Sequence, residues 1–105
     1  MTFCHIDSDM HIISRKTLLE FATRYTEALQ PLDGWYRIFK HTNFQNLNEV
    51  RTFYPHADLV SRKDGEFTIF NIGGNKYRLI THIIYVWNKV FIYAVLTHKE
   101  YDKWS

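Results

Sequence analysis

Apolar residues recur with a helical period in the first forty positions and with a strand period in the last third, separated by an unpatterned stretch. Met10 to Ile13 is a short β-prone run. Ser14 then stands where a helix N-cap belongs, ahead of Arg15 to Tyr25, in which Leu18, Phe21, Ala22 and Tyr25 fall on one face. Pro31 suits the first turn of a second helix reaching about His41, with Leu32, Trp35, Tyr36 and Phe39 as its apolar stripe despite Gly34. Helices so close in sequence predict a hairpin. Residues 43–64 hold no sustained period. One helical turn is expected there at Asn48 to Phe53, stopped by Pro55.

From Phe67 the runs become β-rich: Phe67 to Ile72, Tyr77 to Val86 and Lys89 to Leu96, punctuated by Gly73-Gly74 and Trp87-Asn88. They predict an antiparallel meander of three strands. The expected fold is α+β, with an N-terminal strand and a helical hairpin packed on a small antiparallel sheet and a short C-terminal helical turn. A chain of 105 residues has room for one domain, 1–105, with residues 1–9 as an irregular extension ahead of Met10.

With 46% hydrophobic and 17% aromatic residues the chain should fold rather than remain disordered. A net charge of +2 and a pI near 8.7 are too mild to establish nucleic-acid binding, so the placement of the charges has to decide. Cys4 is the only cysteine, which excludes an internal disulfide and a cysteine zinc cluster and suits a reducing, cytoplasmic compartment. No apolar run approaches the roughly 20 residues that span a bilayer, and the first residues lack the features of a signal peptide. The six histidines show no metal-ligand spacing, so neither a metal nor a cofactor is expected.

The polar residues of the last third converge under simple hairpin counting. A two-residue loop at Gly73-Gly74 sets Asn71 opposite Lys76 and Ile69 opposite Arg78, placing Asn71, Lys76 and Arg78 on one face. A similar loop at Trp87-Asn88 brings Thr97 opposite Arg78. Thr97-His98-Lys99-Glu100 has the pattern of a capping box, which makes Glu100 a scaffold residue and the free amides of that helical turn a seat for an anion near Arg78. Plainer readings stand beside these. Arg78 also suits a solvent-facing strand position, Lys76 and Lys99 suit ordinary surface charges, and Tyr101 suits an anchor of the last turn.

The string Phe67-Thr-Ile-Phe-Asn-Ile-Gly-Gly-Asn-Lys-Tyr-Arg-Leu79, followed by Leu96-Thr-His-Lys-Glu-Tyr-Asp102, resembles the HigB family of type II toxin-antitoxin systems. Met10-His-Ile-Ile-Ser-Arg-Lys16 extends the resemblance, which covers about Met10 to Asp102. It implies a RelE-like toxin that cleaves mRNA, commonly in the ribosomal A site, and that a helix-turn-helix antitoxin silences in a hetero-oligomer touching DNA only through the antitoxin. Carried onto this chain, the family pattern implies Arg78, His98, Lys99 and Tyr101 as catalytic residues. Asn71, Asn75 and Lys76 are candidate RNA contacts. Histidine changes protonation near neutral pH and so makes His98 the candidate base or acid, with Arg78 stabilising the transition state. The competing expectation is a non-catalytic module that binds RNA or a repressor.

Overall fold

Burial explains the helices more than capping does. In the computed structural model, which describes residues 10–104, Leu18, Phe21 and Ala22 bury one face of α1 (Arg15–Arg24), and Leu32, Trp35 and Phe39 do the same for α2 (Leu29–Lys40). Ser14 occupies the cap position of α1, but its hydroxyl makes no capping bond; its carbonyl accepts from the Thr17 amide at 3.2 Å. The single turn expected near Asn48 is a two-turn helix, α3 (Leu47–Phe53), capped by the Asn46 side chain, whose oxygen accepts from the Glu49 amide at 2.9 Å. The expected extension at residues 1–9 lies outside the described residues.

The sheet is wider than a meander and is not purely antiparallel. Its strands are β1 (His11–Ile13), β2 (Asp58–Arg62), β3 (Gly65–Ile72), β4 (Tyr77–Ile84) and β5 (Lys89–Thr97), in the order β1-β5-β4-β3-β2. Strand β1 runs parallel to β5, with Ile12 opposite Val90, and the other pairs are antiparallel. The stretch expected to be irregular contains β2, an edge strand that lines Val60 up with Phe67. Both edge strands are short and carry charged or half-exposed residues, which discourages pairing with further chains. The class α+β stands.

Alternation along β3 and β4 gives the sheet two apolar faces. Phe70, Ile72, Tyr77 and Leu79 join Val90 and Val95 under α1 and α2, and Trp35, Phe39 and Phe44 fill the space between them. Trp35 stacks on Phe39 at 4.6 Å between centroids, and both rings meet Phe70 edge-on at 5.5 and 5.3 Å. Phe67, Ile69 and Ile80 point to the opposite face, where they meet Tyr101 and Trp104 of α4 (His98–Trp104). The last helix thus packs on the side of the sheet that the helical hairpin leaves open. Among the described residues, no helix is long and apolar enough to cross a membrane.

Tyr54 offers a stability test of the main core. Its hydroxyl is buried without a hydrogen-bond partner, and burial pushes its pKa up to about 12. The folded protein therefore holds a proton that the unfolded chain releases near pH 10, the ordinary phenol value. That contribution is complete below pH 10 and is lost as pH rises through the folded value. The denaturant midpoint of Tyr54→Phe should accordingly lie at or above that of wild type near neutral pH, where the unpaired hydroxyl is lost, and the gap should widen above pH 10 as the wild type falls faster.

Candidate functional site

One end of the sheet gathers the predicted residues around the β3–β4 turn. Gly73 and Gly74 both have positive φ, 63° and 70°, a conformation that costs glycine little, so the chain reverses here. The connection is four residues long, 73–76, instead of two. Ile72 consequently pairs with Tyr77 and Asn71 with Arg78, in place of Asn71 with Lys76 and Ile69 with Arg78. A shift of two preserves side-chain parity, so Asn71 and Arg78 remain on one face, now directly opposite each other.

Lys76 leaves that face. It sits in the turn and forms an ion pair with Glu27 at 2.8 Å, in which the ammonium hydrogen bond holds the Glu27 carboxyl below its usual range and raises the Lys76 ammonium above its own. The expected pairing of Arg78 with Thr97 fails by one residue: the β4–β5 connection is four residues long, 85–88, so Ile84 pairs with Lys89, and an irregularity at Ile80/Thr81 recovers one of the two lost positions, setting Leu96 opposite Arg78 and Thr97 opposite Tyr77. Bulges of this kind re-aim a strand beyond what counting from its loop can show.

Arg78 is anchored by the same turn. Its guanidinium donates to the Asn75 carbonyl and the Tyr77 carbonyl, each at 3.2 Å, and to the Asn75 side-chain oxygen at 3.3 Å. Three of the five guanidinium N–H groups are thereby used, leaving two for an anion. The group lies 5.7 Å from the centroid of the Tyr101 ring, so a strand, a turn and a helix converge on it. Asn75 is therefore a holder of Arg78 as well as an exposed candidate for contact with a ligand.

The capping box forms as its spacing predicts. The Thr97 amide donates to Glu100 Oε1 at 2.9 Å, and the Glu100 amide donates to Thr97 Oγ1 at 3.1 Å. The His98 amide donates to the Lys76 carbonyl at 3.0 Å, which fastens α4 to the turn that holds Arg78. These bonds correct the expected anion seat, because the amides of Thr97, His98 and Glu100 are already occupied. An anion bound here therefore relies mainly on side chains.

His98 is exposed at the start of α4, and its Nδ1 lies 3.4 Å from Asp102 Oδ2, one helical turn on. An imidazole held through one nitrogen presents the other outward. Lys99 is exposed beside it. Burial pushes the Tyr101 phenol up, the Asp58 and Asp102 carboxylates push it further, and Arg78 draws it partly back. Tyr101 is thus a neutral phenol at physiological pH, suited to stacking or to donating a hydrogen bond and unsuited to act as a base.

Asp58 and His56 were not among the residues singled out from the sequence. Asp58 opens β2 opposite Ile69, and His56 shares an open groove with Asn71, Gly74 and Asn75. Both depend on β2, which has no alternating apolar pattern to reveal it. On the far side of α4, Arg62 lies 4.1 Å above the Trp104 ring and donates to the Trp104 carbonyl, tying β2 to the end of the helix.

An α+β protein whose last helix is pinned beside an anchored arginine, on the sheet face away from its helical hairpin, has the architecture of a RelE-like toxin. The family described as HigB toxin, RelE-like toxic component of a toxin-antitoxin system, matches residues 28–104. The mRNA interferase HigB of Escherichia coli O6:H1 is 34% identical over 94 residues, covering 90% of each chain. The mRNA interferase toxin HigB of Escherichia coli K12 and the mRNA interferase HigB of Shigella flexneri are each 29% identical over 93 residues, covering 89% of this chain and 88% of theirs. The chain belongs to the HigB toxin family.

Proposed function

We propose that this protein is a metal-independent endoribonuclease that cuts mRNA on the translating ribosome in the cytoplasm, arresting translation and growth until a helix-turn-helix antitoxin of the HigA kind neutralises it. The observation that carries this reading is the anchored Arg78 guanidinium, with two donors to spare, on the same turn that fastens His98 and beside the Tyr101 ring. The names of the relatives add support, since they describe mRNA interferases.

Cleavage by a neighbouring 2′-hydroxyl needs a base for its proton, donors for the charge on the pentacovalent phosphate and an acid for the departing 5′-oxygen. Arg78 supplies the donors, prepaid in position by Asn75 and Tyr77. His98, whose Nδ1 faces Asp102, is placed to serve as base or acid, while Glu100 is committed to its cap. Tyr101 stacks on a base or hydrogen-bonds at the scissile phosphate, and Lys99, Asn71 and Asn75 contact the strand. Lys76, paired with Glu27, acts mainly to brace the turn.

Net charge is mild, and the turn with its one anchored arginine offers little sequence readout, which favours a substrate positioned by the ribosome over free RNA. Incubating the purified chain with mRNA, with and without programmed ribosomes, tests this. Cuts inside the A-site codon that require ribosomes are expected, and equal cutting of free mRNA contradicts the ribosomal reading. A second reading is favoured by the commitment of Glu100 to the cap, which leaves His98 to serve as both base and acid: a non-catalytic RNA-binding or repressor-binding module. It predicts binding without cleavage under either condition.

A further inference from the structure

The helical hairpin carries a cleft on the sheet side opposite Arg78 and Tyr101. Leu18 and Leu19 of α1 face Leu29 and Leu32 of α2 across it. Leu18 and Leu32 belong to the core, but Leu19 and Leu29 remain 41% and 48% exposed, so two large apolar side chains line one cleft without cover from the described residues. Single exposed leucines carry no message; a pair lining a cleft marks a contact surface.

Charge extends the cleft in one direction. Arg15, Asp33 and Tyr36 line both the apolar cleft and an adjoining one, whose further walls are Arg37, Lys40 and His41. Asp33 is the acid in this stretch, and it is shared between Arg37 at 2.8 Å and Arg15 at 4.0 Å. Arg15 and Lys40 lie over the Tyr36 ring at 4.9 and 5.8 Å, which holds two cations at the junction. The surface is thus a continuous trough, leucine-lined at one end and basic at the other.

We propose that this trough seats an amphipathic helix of the antitoxin, with apolar residues over Leu19 and Leu29 and carboxylates over Arg15, Arg37 and Lys40. The inference rests on membership of a toxin-antitoxin family and is independent of the cleavage chemistry. A groove between two helices takes a third through side chains spaced three and four apart, and basic walls select acidic residues on it. Leucine walls offer no stacking surface to nucleotides and the Tyr36 ring is already covered by Arg15 and Lys40, which favours a protein over RNA. A second copy docking through the same trough would bring to it the same excess of cations, Arg15, Arg37 and Lys40 against Asp33.

The test uses the full chain and the antitoxin encoded with it, titrated by calorimetry, with cleavage measured separately. Leu19→Glu/Leu29→Glu should weaken antitoxin binding by about 100-fold or more, because carboxylates replace two apolar anchors. Arg37→Glu/Lys40→Glu, which leaves the leucines intact, should weaken it as well and reduce its dependence on salt. Cleavage by both free variants should equal that of wild type. Unchanged antitoxin affinity in the two variants overturns the proposal, and so does retained affinity with loss of ribosome or RNA binding, which would assign the trough to nucleic acid. A chain that never cleaves RNA but loses its antitoxin in these variants leaves the docking surface standing and removes only the cleavage reading.

Discussion

Arg78→Ala should lower mRNA cleavage by about 10²- to 10³-fold, the usual effect of removing one preorganised donor from a developing oxyanion. The fold should survive, because the Arg78 side chain bonds only to the adjoining turn and lies over an aromatic face, while the burial of β4 falls to Tyr77, Leu79, Ile80 and Thr81. Arg78→Lys should restore little. A lysine keeps the charge but lacks the planar fork that satisfies Asn75 and Tyr77 while reaching a phosphate. Single-turnover cleavage rates and thermal melts of the three proteins check this. A variant that cuts at wild-type rate shows that the anchored guanidinium plays no part in the reaction.

His98→Ala should cost about 10²- to 10⁴-fold, the range for losing a general acid or base. Asp102→Asn is the informative companion. If Asp102 orients the ring through Nδ1, the amide should retain some of that contact and lose less activity than His98→Ala. Growth arrest on induction gives the cellular readout, and retained antitoxin binding shows that each variant is folded. Full toxicity in His98→Ala would remove histidine from the chemistry and point to Tyr101 or Lys99 for proton transfer. Tyr101 enters that contest at a disadvantage as a base, since burial and Asp58 hold its phenol protonated.

The helices and central strands were legible because each buries a regular apolar stripe, as Leu18 and Phe21 do in α1 and Phe70 and Ile72 do in β3. The capping box was equally readable, being a local motif whose partners lie three residues apart. Strand β2 was not, because Asp58-Leu-Val-Ser-Arg62 is mostly exposed and gains its structure from pairing with β3. The parallel seat of β1 beside β5 likewise comes from contacts between the two ends of the chain.

The site shows the same division. Asn71 and Arg78 were placed on one face although the loop length was wrong, since an error of two residues leaves parity intact. At the other loop the connection was also two residues longer than counted, and the one-residue irregularity at Ile80/Thr81 took back only one of them, so Leu96 stands in the place expected for Thr97. Lys76 looked like a site cation in sequence. Its engagement by Glu27, 49 positions away, depends on tertiary packing that no local pattern encodes.

The most direct measurement of the central claim is cleavage of a ribosome-bound mRNA carrying a single 2′-deoxynucleotide immediately 5′ of the scissile phosphate. Attack by the 2′-hydroxyl at the Arg78 and His98 site predicts that the all-ribose message is cut with a 5′-hydroxyl on the downstream fragment, and that the substituted message stays intact at that phosphate. Equal cutting of the two messages, or cutting of neither by the wild-type chain, would contradict it.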